Sequence, residues 1–101
     1  MRTIQHPPIE KVALSQVLYA LSDPVRLHVV RQLARDGEAT CAALDGGRPK
    51  SSMSHHFRVL RDAGLVRTRT DGPSHMNELR RNDIERRFPG LLAAVLSAKD
   101  V

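Results

Sequence analysis

Residues 51–70, SSMSHHFRVLRDAGLVRTRT, carry the most informative pattern in this chain. Apolar residues recur there at the spacing of one helix face, namely at Met53, Phe57, Val59 and Leu60. Gly64 supplies the left-handed conformation that commonly ends a helix, and the alternation after it predicts a strand with Arg67 and Arg69 on one side. The other face of the helix carries serines, a histidine and arginines. A polar, cationic helix joined to a basic strand suits entry into a DNA groove.

Helices and strands are also predicted before and after this stretch. Pro7-Pro8 marks a helix start, Ser22-Asp23-Pro24 marks a second one, and Thr40 is expected to cap a short third helix. The predicted helices span residues 9–21, 24–36, 41–44, 51–63 and 83–99, the last broken at Pro89-Gly90, and the predicted strands span 65–70 and 75–79 around a hairpin loop at 71–74. We therefore predict a mainly α (α+β) winged helix-turn-helix, α-α-α-α-β-β-α, forming a single domain over residues 1–101. Residues 1–8 are an irregular arm.

Composition narrows the class of partner. The 101 residues contain 16 Lys and Arg against 11 Asp and Glu, for a net charge of +5 and a pI near 10.3, and most of the cations are arginine. Guanidinium groups match phosphates and guanine edges, so a polyanionic partner is favoured. Cys41 is the only cysteine, which excludes an internal disulfide and favours a reducing compartment. No signal or membrane-spanning segment is evident, so we expect a cytoplasmic protein without a membrane partner.

Both ends of the chain are richer in apolar residues than so short a monomer can cover. This surplus predicts a homodimer held by the first and last helices, with residues 80–101 as a dimerisation segment. The expected interface residues are Ile9, Val12, Val17, Leu21, Phe88, Leu91, Leu92 and Val95.

Two motifs resemble the ArsR/SmtB family of winged-helix repressors. The run from Leu21 to Leu27, LSDPVRL, resembles the opening signature of that family, and SHHF with VLRDAGLV, between Ser54 and Val66, resembles its DNA-recognition helix and first wing strand. Residues 80–92 look like a branch that usually lacks the metal sites of the founding members. The resemblance implies a homodimer that binds an inverted-repeat operator in double-stranded DNA and represses transcription. Many members have Gly-Arg at the wing tip, where this chain has Gly72-Pro73.

The expected DNA contacts lie on the helix and the wing. They are Lys50, Ser51, Ser52, Ser54, His55, Arg58, Arg61, Arg67, Arg69 and His75. Arg58 is expected to recognise a base, because its fork can pair with guanine, whereas the side chains on the strands are expected to contact phosphates. His56 lies 100° further round the helix and is expected to pack or hydrogen-bond inside. Arg26 is expected to form a structural ion pair with an acidic neighbour.

Other activities find little support in the sequence. We find no nucleophile–base pair, phosphate-binding glycine loop or catalytic cluster, so we expect neither an enzyme nor a cofactor. Cysteine and histidine spacings also predict no metal site, since one thiolate cannot build a soft-metal site. Three alternatives stay open: a metal site across the dimer from His6 with Asp83 or Glu85, redox sensing at Cys41, and a winged-helix module that binds protein instead of DNA. The inducer is unknown.

Overall fold

The computed structural model describes residues 4–99. A 3₁₀ turn at Ile9–Lys11 precedes six α-helices and three strands. In chain order these are α1 (Leu14–Leu21), α2 (Pro24–Asp36), β1 (Ala39–Thr40), α3 (Cys41–Leu44), α4 (Lys50–Asp62), β2 (Val66–Asp71), β3 (Ser74–Leu79), α5 (Arg81–Arg87) and α6 (Leu91–Ser97). The strands form one antiparallel sheet in the order β1-β3-β2. The winged helix-turn-helix order expected from the sequence is confirmed.

Helix starts follow from the residues that precede them. The Asp23 carboxylate accepts hydrogen bonds from the backbone N–H groups of Val25 and Arg26, at 2.8 and 3.1 Å, and Pro24 occupies the first position of α2. Thr40 caps α3 as predicted, because its hydroxyl accepts from the Ala43 N–H at 3.1 Å.

The turn between α4 and β2 requires glycine. Gly64 has a φ of +74°, and a Cβ there would lie 3.0 Å from Cγ2 of Val12 and 3.2 Å from Cδ1 of Ile9. The Leu65 N–H then donates to the Leu60 carbonyl, closing the end of α4. This close approach sends the chain from α4 directly into β2.

The wing, which consists of β2, β3 and the turn between them, matches the predicted hairpin to within one residue. Asp71 pairs with Ser74, so the loop contains only Gly72 and Pro73. Strand β1 was not predicted, because two residues that pair with Asn77 and Met76 of a distant strand leave no alternating pattern to detect.

The predicted continuous first helix, residues 9–21, is wrong. The chain instead makes a 3₁₀ turn, extends at Val12 and Ala13, and restarts as α1. The Arg87 side chain donates to the Val12 carbonyl at 3.1 and 3.3 Å, which diverts that carbonyl from a helical ladder. The Gln16 side chain accepts from the Ala13 N–H at 3.0 Å and so supports the new start.

At the other end of the chain, the predicted break is confirmed: Gly90, with a φ of +84°, separates α5 from α6.

One cluster of buried apolar residues packs the helices against the sheet. It includes five residues that the sequence analysis assigned to the dimer interface. Those five face the interior of the protomer: Ile9, Val12, Val17, Leu21 and Leu92. Their expected role as dimer contacts needs correction, since a single protomer already covers them. Phe88, Leu91 and Val95 are half-buried against the same core.

No helix within residues 4–99 is long and apolar enough to cross a membrane.

Candidate nucleic-acid interface

Helix α4 separates its apolar and polar faces as predicted. Met53, Phe57 and Leu60 are buried against the core. The predicted DNA contacts on the opposite face are exposed: Lys50, Ser51, Ser52, Ser54, His55 and Arg58. Arg61, one turn beyond Arg58, is half-buried. The helix therefore presents to solvent a surface of short hydroxyl groups, one imidazole and cations.

The amino end of α4 is suited to an anion. Pro49 occupies the cap position, and no described side chain caps the free N–H groups of the first turn. The Ser52 hydroxyl donates instead to the Pro49 carbonyl, at 3.0 Å. Unpaired N–H groups and the helix dipole favour a negative group at such an end.

The wing carries two exposed arginines that are already paired with carboxylates. Arg69 donates to Glu38 across 2.8 Å, and both side chains are about half exposed. Arg67 lies 3.7 Å from Glu78 and 3.5 Å from Asp83. A DNA phosphate must replace these carboxylates to contact the arginines. The pairing of Arg69 could not be predicted from the sequence, because Glu38 precedes it by 31 residues.

The helix and the wing approach each other on one side of the molecule. Lys50 and Ser54 of α4 line the same cavity as His75 of β3, which is exposed as well. Of the predicted contacts, this cavity thus brings together Lys50, Ser54 and His75. The other predicted contacts do not line it: Ser51, Ser52, His55, Arg58, Arg61, Arg67 and Arg69.

A buried arginine fixes α4 against the first two helices. Arg26 is 4% exposed, and its guanidinium donates to the Ala20 carbonyl at 2.8 Å and to the Tyr19 carbonyl at 3.2 Å. Its Nη1 lies 3.2 Å from Nδ1 of His56. The structural role predicted for Arg26 is confirmed, but the partners are backbone carbonyls and a histidine instead of an acidic side chain.

His56 faces inward, as its position on the helix predicted. Since an arginine can only donate, Nδ1 of His56 accepts the hydrogen bond and the imidazole is neutral in this arrangement. Burial lowers the pKa of His56 below 6.5. The nearby cations Arg26 and Arg48 add to this effect, while the carboxylate of Asp23 opposes it.

His6 is held by the wing. Its Nε2 accepts the backbone N–H of Thr68 at 2.9 Å. Burial lowers its pKa below 6.5, and the nearby cations Arg67, Arg80 and Arg61 lower it further. The same arm is fixed by Arg80, which donates to the Pro7 carbonyl at 3.0 Å.

The residues named for a possible metal site have other partners. Asp83 accepts from Arg80 at 3.1 Å and from Arg86 at 3.2 Å, and Glu85 accepts from the Gly90 N–H at 3.1 Å. Within residues 4–99, no group of three His, Cys, Asp or Glu side chains is placed to hold a metal ion. Cys41 is half-buried, and its sulfur lies 3.2 Å from Nδ2 of Asn77.

The order of these elements, with an exposed cationic helix beside a hairpin that carries two exposed arginines, defines a winged helix-turn-helix protein. Comparison with known proteins agrees. A family model described as a helix-turn-helix domain matches residues 21–69. The HTH-type transcriptional regulator YceK of Bacillus subtilis is 35% identical over 81 residues, which cover 77% of this chain and 81% of YceK.

Solved structures narrow the assignment further. The crystal structure of an ArsR family transcriptional regulator superposes with a TM-score of 0.68 at 27% identity, covering 79% of this chain and 89% of that one. The transcriptional repressor BigR from Xylella fastidiosa gives a TM-score of 0.63, also at 27% identity, covering 85% and 88% of the two chains. The present chain belongs to the ArsR family of DNA-binding transcriptional regulators.

Proposed function

We propose that this protein is a homodimeric repressor that binds an inverted-repeat operator in double-stranded DNA, in the cytoplasm. The observation that carries the proposal is the exposed face of α4, which presents His55 and Arg58 while Met53 and Phe57 hold the opposite face in the core. A helix supported in this way can enter the major groove without losing its packing.

The contacts divide into two kinds. Arg58 and His55 lie on the exposed surface of α4 and recognise base edges in the major groove. Contacts to the DNA backbone come from the serines at the amino end of α4 and from Arg67, Arg69 and His75 on the wing. The first group determines sequence preference, and the second supplies affinity that depends on salt.

A second copy of the chain covers the exposed apolar face of α1. Leu14, Leu18 and Tyr19 are 46%, 49% and 59% exposed. Leu14 and Leu18 lie one above the other on one side of that helix, and Tyr19 lies 100° further round. These side chains replace Val17 and Leu21 as the expected contacts of α1. Phe88, Leu91 and Val95 extend the interface from the carboxyl-terminal segment. Two-fold symmetry then places the two copies of α4 on half-sites about one helical turn, or a small multiple of it, apart.

Selection from a pool of random duplexes tests this function. The wild-type protein should enrich an inverted repeat, and Arg58→Ala should enrich sites with relaxed preference at one base pair of each half-site. Arg35→Ala is the matched control, because Arg35 is an exposed arginine of α2 that pairs with the neighbouring Asp36. Enrichment of no common sequence by the wild type would contradict the proposal.

A further inference from the structure

A cavity opens between α3, the amino-terminal half of α4 and the wing. Its volume is about 530 Å³. Cavities that hold small organic ligands measure about 300–1,000 Å³, so the space is sufficient for such a molecule. None of the DNA contacts proposed above requires a cavity of this size behind the protein surface.

The lining changes character from the inside outwards. Met53 and Phe57 are buried and form an apolar floor, beside the half-buried thiol of Cys41. Such a floor suits a hydrocarbon or aromatic body and offers a polar ligand few hydrogen bonds.

The mouth of the cavity is cationic. Arg48 and Lys50 are exposed there, against a single carboxylate from Asp45. That carboxylate accepts the Gly47 N–H at 2.9 Å within its own turn. Lys50 is also the first residue of the thirteen-residue helix α4, whose uncapped amino end adds partial positive charge. An anion at the mouth is therefore favoured.

We propose that this cavity binds a small carboxylate with an apolar body, and that this ligand competes with DNA. Competition follows because Lys50, Ser54 and His75 line the cavity and also belong to the proposed DNA surface. This second part rests on the proposed function, whereas binding to the free protein does not.

The first experiment measures binding to the full chain without DNA. The probe is 2-naphthoate, followed by its fluorescence anisotropy, which the protein does not obscure because it contains no tryptophan. Naphthalene-2-methanol keeps the apolar body without the charge, and acetate keeps the charge without the body. Saturable binding of 2-naphthoate, with weaker binding of the alcohol and weak displacement by acetate, is expected. Displacement of 2-naphthoate by acetate at concentrations near the Kd of 2-naphthoate would reveal only a site for a small anion and overturn the proposal.

Two alanines of α3 provide a matched pair of variants. Ala42 lines the cavity, whereas its exposed neighbour Ala43 is not part of the lining. Ala42→Leu should weaken 2-naphthoate binding about tenfold by filling the space, and Ala43→Leu should leave it unchanged. Arg48→Gln should weaken binding of the carboxylate about threefold and leave binding of the alcohol unchanged. Equal effects of the two leucine variants would overturn the assignment of the site.

The second experiment adds 2-naphthoate to the protein–DNA complex. Release of labelled DNA by 2-naphthoate, reduced in Ala42→Leu and unchanged in Ala43→Leu, is expected. If the ligand binds the free protein but releases no DNA, competition is wrong and only the binding site stands. If the protein binds no duplex at any salt concentration, the proposed repressor function fails, while the anisotropy result still decides the ligand site.

Discussion

Nη1 of Arg26 lies 3.2 Å from Nδ1 of His56, and this hydrogen bond joins the corner between α1 and α2 to the helix that carries the exposed cationic face. The same guanidinium pairs with the carbonyls that end α1 and lies 5.1 Å from the centre of the Tyr19 ring. A single buried side chain thus sets the position of α4 relative to the apolar face of α1.

Removing this guanidinium should destabilise the fold. Arg26→Met keeps an unbranched apolar stem but leaves the Ala20 and Tyr19 carbonyls without their donor, so we expect the free energy of unfolding to fall by about 2 kcal/mol. Urea denaturation measures this change. Arg35→Met replaces an arginine whose side chain is 67% exposed, and it should leave the free energy of unfolding nearly unchanged. Similar losses in the two variants would contradict the role of Arg26.

Protonation of the inward-facing histidine should weaken the fold. Burial holds the pKa of His56 in the folded protein below 6.5. The contribution of neutral His56 to the free energy of unfolding is therefore complete above pH 6.5. As the pH falls below 6.5, the unfolded chain binds a proton that the folded protein resists, and stability is lost down to the lowered pKa. The free energy of unfolding should therefore decrease as the pH falls below 6.5, and this decrease should end at the lowered pKa of His56.

A variant separates His56 from the other groups that titrate. His56→Gln keeps an oxygen that can accept from Arg26 and should reduce the pH dependence of the unfolding free energy. The pKa of His6 is also lowered, so a residual dependence of the same sign should persist. His75→Gln controls for loss of an imidazole at the surface. An unchanged pH dependence in His56→Gln would rule out the proposed contribution.

The carboxylates on the wing should restrain DNA affinity. Glu38→Gln removes the partner of Arg69 and should tighten binding to any duplex about two- to fourfold, because exposed ion pairs contribute roughly 0.2–1 kcal/mol. Glu10→Gln is the control with the same charge change, since Glu10 pairs with Arg86 and not with the wing. Fluorescence anisotropy with a labelled duplex gives both affinities. Equal tightening in the two variants would indicate an effect of net charge alone.

The exposed face of α1 should determine the oligomeric state. Leu18→Asp places a charge at the centre of the proposed interface and should convert a dimer into a monomer, measured by sedimentation at micromolar concentration. Leu18→Met preserves the apolar contact and should remain dimeric. A monomeric wild-type protein under the same conditions would remove the basis of the dimer proposal.

The sequence predicted the elements whose patterns are local. Periodic apolar residues in α4, the cap residues of α2 and α3, and the alternation around the wing each depend on neighbours in the chain. The break after Val12 depends on Arg87, which lies 75 residues away, and β1 depends on pairing with β3. Such contacts leave no periodic trace in the sequence.

The sequence predicts which residues of the candidate site are exposed better than it predicts what surrounds them. Exposure of His55 and Arg58 follows from helical periodicity alone. The ion pair of Arg69 with Glu38, and the inward position of Ile9 and Val12 against Gly64, depend on how distant segments pack. An apolar residue near a chain end can serve the core or a partner equally well, so the sequence could not assign these two residues to either.

The salt dependence of DNA binding distinguishes base recognition by α4 from contacts to the DNA backbone. The measurement is the slope of log Kd against log salt concentration, on a selected operator and on a random duplex, for Arg58→Ala and for Arg69→Ala. Arg58→Ala should reduce the preference for operator over random duplex about tenfold, within the range of roughly 1–3 kcal/mol for a base contact. Arg69→Ala should weaken both duplexes alike and reduce the slope by about one unit. Unchanged operator preference in Arg58→Ala would contradict base recognition by α4.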